Sequence, residues 1–340
     1  MVTNILGSSM NDLFISAARE VQKSGTVSSS RNGSVQYLNN VAFSLDDPTS
    51  RHLSLEGRKN NIFAVIAEMF WVMSGSNKIS PFLEFYLPRA KDFSDDGETW
   101  RGGYGPRLHA HDQLEQAIEM FEKDGLHTRR AIIDIYQSEK DSPLYGETKD
   151  VPCNLLANYY VHDGQLCVNQ ISRSSDLIWG ILGVNIPVFT FLQEYVAQRV
   201  GLSVGTYTHF TTNLHVYDFT RQQIVDTLSH IEDEGAPANR PTRKSVFPHQ
   251  PHWFFEDLIE YYIDIIEDRD HGSNLTKIFN DYNVPTNGNQ LWDYAKALSS
   301  YTKNKAGNRH IELDISDMSE DFKTAILFSP FRKFEVSHKE

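Results

Sequence analysis

Residues 150–187 read DVPCNLLANYYVHDGQLCVNQISRSSDLIWGILGVNIP, and the order of signals within them decides the fold class. "NLLANYYVH" and "QLCVNQIS" are rich in β-branched and aromatic residues. They meet at Asp163-Gly164, a dipeptide that accepts the positive φ angles of a tight turn, so the two runs read as a hairpin. The next stretch, "NIPVFTFLQEYVAQRVGL", reads as a helix with Pro187 in its first turn and Gly201 just past its end. Strands and a long helix in one block indicate an α+β body.

Both cysteines, Cys153 and Cys167, lie in this block. Two in 340 residues are too few for a disulfide framework, so each is read as a thiol. A free cysteine beside leucines is more often a small buried hydrophobe than a nucleophile, and Cys167, inside the second strand, fits that description. Cys153 differs, because Pro152 fixes the backbone before it and Arg173 and Ser174 follow at the end of the hairpin. An arginine beside a thiol favours the thiolate, which is the reactive form.

Outward from the hairpin, "NIFAVIAEMFWVMSG" has helical spacing and closes on Gly75. Glu68 stands in it as a lone carboxylate among apolar side chains, expensive unless paired or used. "TRRAIIDIYQ" reads as a strand with Arg129 and Arg130 at its start. The polar stretch "EDEGAPANRPTRKS" marks a linker, and "HWFFEDLIEYYIDIIED" and "NQLWDYAKALSSYT" read as amphipathic helices. The expected layout is therefore a catalytic body over 1–240, a mixed β-sheet packed by helices, and a mostly helical extension over 241–340 packed on or near it. The extension's aromatic stripe, Trp253, Phe254, Tyr261 and Tyr262, reads as core packing.

The balance of 32 basic against 45 acidic residues gives a formal charge of −13, which argues against a broad nucleic-acid or anionic-membrane surface. A bound phosphate would be held by a few placed arginines. Arg31, Arg129, Arg130 and Arg173 could supply such a clamp, and their fork geometry suits a nucleoside monophosphate. No apolar run approaches the roughly 20 residues that span a bilayer, and the N-terminus lacks signal-peptide features, so a cytoplasmic protein is expected. No histidine or cysteine pair shows metal-ligand spacing on a helix, so no metal is expected.

The segments "PCN", "SRSSD", "GVNIP" and "LHVY" resemble the active-site segments of the thymidylate synthase superfamily, which includes the pyrimidine nucleotide hydroxymethylases. The resemblance runs from Arg31 to Tyr217, with its motifs in family order. It implies that the fold is thymidylate synthase-like and that Cys153 adds to C6 of a pyrimidine ring and so activates C5. It implies 5,10-methylenetetrahydrofolate as one-carbon donor, and a homodimer with shared active sites. Arg31, Arg173 and Ser174 would hold the 5′-phosphate, with Arg129 and Arg130 from the second subunit. His215 and Tyr217 would bind the sugar, Glu68 would organise proton transfer at the ring, and Tyr104 would help remove the C5 proton. The glycines around Tyr104 would allow close backbone approach. Asp176 would meet the folate's pterin, with Gly180 in the folate-facing wall, and Asn185 would select uracil, because the cytidylate enzymes carry aspartate there.

Several positions depart from the methylating members. Asn154 stands where they have histidine, Ser172 where they have glutamine and Ala90 where they have tryptophan. One extra residue lies between Asp176 and Asn185, and the short aliphatic C-terminus is not visible. Phage-type hydroxymethylases share the first two departures. The preferred expectation is therefore 5-hydroxymethylation of dUMP. Thymidylate synthesis or a cytidylate hydroxymethylase is the alternative within the family. An inactive nucleotide-binding or scaffold protein is the alternative outside it. A cysteine hydrolase would need a histidine to activate the thiol, and His162, His209 and His215 lie near the core, yet no hydrolase signature surrounds Cys153.

Overall fold

The computed structural model describes residues 1–30, 33–235, 250–269, 274–307, 313–330 and 336–337. Its main sheet contains β1 (Thr3–Gly7), β2 (Thr26–Ser30), β3 (Gly33–Leu45), β4 (Ile132–Asp134), β5 (Asn154–His162), β6 (Gln165–Ser172), β7 (Ser175–Asp176) and β8 (Ser203–Tyr217). The order is β1-β3-β8-β6-β5-β4, with β2 pairing β3 and β7 pairing β8. The sheet is mixed: β6 and β7 run parallel to β8, whereas β3–β8, β5–β6 and β4–β5 are antiparallel.

The hairpin turns where the sequence placed it, at Asp163 (φ 49°) and Gly164 (φ 74°). Along β8 every second side chain is buried, including Tyr207, His209 and Thr211. The phase then changes, so that Leu214 and Val216 are buried and His215 and Tyr217 half-buried. The strand expected around Ala131 is short, spanning Ile132–Asp134 alone.

Every residue of the helix Ile62–Met73 is buried. It packs against the helix Ile186–Val200 on one side and the C-terminal helices His252–Ile266 and Gln290–Lys305 on the other. Phe63 stacks on Tyr301 at 4.4 Å between ring centres and Phe70 meets Phe255 at 5.9 Å. One hydrophobic cluster runs without interruption from the sheet into the extension. Phe254, Tyr261 and Tyr262 belong to it, while Trp253, from the same stripe, is 52% exposed. Polar groups cross the same seam. His52 bonds through Nδ1 to Asp321 Oδ2 at 2.7 Å and through Nε2 to Tyr294 Oη at 2.6 Å, all buried.

The segment before Ile186 is a π-helix, Leu177–Asn185, which the sequence did not reveal. Joined to the next helix it makes 24 residues, Leu177–Val200, long and apolar enough to cross a membrane. This corrects the expectation that no apolar run reaches that length. The physical reason is that the sheet and Ile62–Met73 cover it: 89% of its most apolar window is buried inside the protein. The polar stretch expected as a linker begins inside the helix Arg221–Glu234, and its part from 236 onward lies outside the described residues.

Candidate active site

Cys153 sits immediately before β5, half-buried. The backbone ahead of it is pinned by two arginines. Arg101 Nη2 donates to the Asp150 carbonyl at 2.6 Å, and Arg173 donates to those of Val151 (2.9 Å) and Pro152 (3.0 Å). Arg173 Nη2 also lies 3.7 Å from Cys153 Sγ. The guanidinium draws the thiol's pKa down, as the sequence suggested, but burial outweighs it. The thiol is held above its ordinary value, and the nearby Asp150 adds to the rise.

Tyr104 opens the short helix Tyr104–His109 and packs on Phe189 at 5.5 Å between ring centres. Its flanking glycines approach backbone closely, as expected. A Cβ on Gly102 would lie 3.2 Å from Pro152 N, and one on Gly105 would lie 2.9 Å from the Val72 carbonyl. These close approaches set Tyr104 between the loop ahead of Cys153 and the helix that carries Glu68. Its phenol oxygen accepts from Asn154 Nδ2 at 2.8 Å. Glu68 is 6% exposed and has no ion-pair partner among the described residues. Burial pushes its carboxyl up to about 8, so at neutral pH it is largely protonated and able to donate.

His215 and Asp176 are register partners on β8 and β7. His215 Nδ1 lies 3.1 Å from Asn213 Oδ1 and 3.4 Å from Ser174 Oγ, and its ring stands edge-on to Tyr217 at 5.0 Å. Burial holds the imidazole below its usual value and the Asp176 carboxyl above, each partly offset by the other's charge. Asp176 also caps the π-helix, accepting from Ile178 N (3.2 Å) and Trp179 N (2.9 Å). Gly180, half-buried, lies against the same stretch: a Cβ there would touch Asp176 Cβ at 3.6 Å. Asn185, 7% exposed, ends the π-helix.

Arg129 and Arg130 are not gathered here. Arg31 lies outside the described residues. Arg129 and Arg130 are exposed ahead of β4, and Arg130 is paired with Asp124. In the β4–β5 register Arg130 falls opposite Tyr160, seven residues along the strand from Cys153 or roughly 23 Å at ~3.3 Å per residue. That is too far for either side chain to serve Cys153 of its own chain.

Sequence reading missed two residues, Arg101 and Arg58, and weighed His209 only as a base for a cysteine hydrolase. Arg101 braces the loop before Cys153. Arg58, buried, donates to the Ile178 carbonyl and to Gln223 Oε1 (3.2 Å), bracing the π-helix beside Asp176, and burial lowers its pKa to about 10. His209, buried in β8, bonds to Tyr207 Oη (3.0 Å) and Ser172 Oγ (2.9 Å), and burial drives its pKa down to about 3. The period-two pattern of β8 could have found His209, whereas no local pattern marks either arginine. The Ala90 carbonyl accepts from Trp100 Nε1 at 2.8 Å. Among the described residues no cluster of three His, Cys, Asp or Glu is placed to hold a metal ion.

A thiol, a buried acid and a phenol thus come together beside an arginine, and His215 and Asp176 face one another on the adjoining strands. Against known proteins, a family profile described as thymidylate synthase matches residues 12–246. The chain is 38% identical over 328 residues to a deoxyuridylate hydroxymethyltransferase of Delftia phage PhiW-14, covering 90% of each. It is 32% identical over 223 residues to one of Bacillus phage SP01, covering 62% of this chain and 58% of the relative. A thymidylate synthase of Francisella philomiragia subsp. philomiragia is 27% identical over 204 residues, 55% of this chain and 71% of that one.

Proposed function

This chain belongs to the thymidylate synthase family, and from that premise we propose that it is a deoxyuridylate hydroxymethyltransferase, adding a hydroxymethyl group to C5 of dUMP. The observation that carries the reading is the likeness across 90% of both chains to a relative of that name, joined to the placement of Cys153 against Arg173.

The chemistry follows from the residues. Cys153 sulfur bonds to C6, moving electron density to C5, with Glu68 as a donor toward the ring's carbonyl side. The co-substrate, 5,10-methylenetetrahydrofolate, supplies a one-carbon unit at the formaldehyde level. Asp176, a carboxyl at the start of the π-helix beside Gly180, would hold the folate ring. Once C5 has bonded to that carbon, its proton leaves toward Tyr104 as tetrahydrofolate departs, which leaves an exocyclic methylene on the ring. Water adds to the methylene, and the sulfur then leaves C6. Asn185, whose amide can both donate to O4 and accept from N3–H, supports uracil as the base. The distance between Arg130 and Cys153 within one chain supports a homodimer in which Arg129 and Arg130 reach the partner's phosphate.

The test is incubation with dUMP and methylenetetrahydrofolate, followed by mass analysis. Gain of CH2O with release of tetrahydrofolate supports the reading. Gain of CH2 with dihydrofolate would make the protein a thymidylate synthase, and no change in dUMP would refute both.

A further inference from the structure

Asn154 is fully buried, and its amide is held at both ends. Gln170 Nε2 donates to its Oδ1 at 3.1 Å, which leaves Nδ2 aimed at the Tyr104 phenol oxygen at 2.8 Å. With Gln170 Nε2 turned toward it, Asn154 presents Nδ2 to Tyr104, and a flip of Asn154 alone would set two donors against each other. The Asn154 main-chain N–H bears on the same phenol oxygen. A phenol oxygen that receives N–H donors is prepared to carry negative charge, and its own proton must point away from them.

We propose that Asn154, oriented by Gln170, is the positioning residue for Tyr104, cradling its oxygen so that the phenol can take up the C5 proton while passing its own to water. The inference rests on the reading that Tyr104 serves proton removal in dUMP hydroxymethylation. It goes further by giving Asn154, a departure from the methylating members, a task of its own.

The groups that face Tyr104 are Cys153, Glu68 and Tyr207. The first two oppose charge on the phenol, and burial opposes it most. Asn154 is the neighbour that favours it. Asn154→Asp replaces a donor with an acceptor of the same shape, so the phenol must donate to it and its proton is tied up. Gln170→Met removes the group that orients the amide and leaves Asn154 intact.

The experiment places trifluorotyrosine, a more acidic phenol, at position 104 and follows its titration by 19F NMR in the protein without nucleotide. In parallel, release of tritium from C5-tritiated dUMP is measured with methylenetetrahydrofolate across pH in the unmodified variants. The expected result is that Asn154→Asp raises the phenol's titration midpoint and lowers tritium release on the order of 100-fold. Gln170→Met should shift both in the same direction by less, and dUMP binding should be kept in each. Unchanged titration in both variants, or tritium release that falls with an unaltered pH profile, would overturn the proposal. Titration needs no substrate, so it judges Asn154 even if the wild-type protein releases no tritium from dUMP, an outcome that would instead refute the assigned reaction.

Discussion

Arg173 holds Cys153 twice. Its main-chain N–H donates to the Cys153 carbonyl at 2.9 Å, and its Nη2 lies 3.7 Å from the sulfur. The same residue sets the nucleophile's position and is the group that lowers the thiol's pKa, against a larger opposing effect of burial. Arg173→Gln is therefore expected to raise the thiol's pKa further and to slow its alkylation by iodoacetamide at pH 8 on the order of tenfold, the equivalent of one pKa unit. An unchanged alkylation rate would mean that the guanidinium does not act on the sulfur.

Glu68 makes the protein's stability depend on pH. Its carboxyl has a folded value of about 8 against an ordinary 4.5, so the folded state binds a proton that the unfolded state releases. Its contribution is most favourable below pH 4.5 and is lost as pH rises to 8. Glu68→Gln, which mimics the protonated acid, should be neutral near pH 5 and stabilising near pH 8, by up to roughly 4 kcal/mol. The same variant should lose most turnover. Urea unfolding of both proteins at the two pH values checks the first statement, and a stability difference that does not grow with pH would contradict it.

Asn185→Asp tests the choice of base. A carboxylate accepts but does not donate, so it disfavours the O4 of uracil and favours the amino group of cytosine. The expected outcome is a fall in kcat/KM for dUMP and a gain for dCMP. An unchanged ratio would mean that the π-helix has turned another group toward the base.

The His52–Asp321 bond ties the extension to the body. Asp321→Ala leaves a buried imidazole nitrogen without its partner, which should cost about 2–3 kcal/mol. The helix bearing Glu68 packs directly on the extension, so activity should fall in step with the urea midpoint. Full activity with an unshifted midpoint would show the seam to be inessential.

These positions also show what can be read from a linear sequence. The Asp163-Gly164 turn and the Gly75 and Gly201 helix ends rest on neighbours a few residues apart, and all three stand as read. Cys153, Arg173 and Ser174 were legible because one hairpin returns the chain to its starting point. The bond between Tyr104 and Asn154 spans 50 positions and that between His52 and Asp321 spans 269, and no periodicity reports such a meeting. The thiol's raised pKa was missed for a related reason: spacing shows that an arginine is near, but not how much water has been removed.

A π-helix leads from Asp176 to Asn185. Its wider coil runs directly into the helix that begins at Ile186 and ends on Gly201. A coil of this kind can gain or lose one residue and relax toward an ordinary α-helix, so an insertion or deletion here need not break the helix after it.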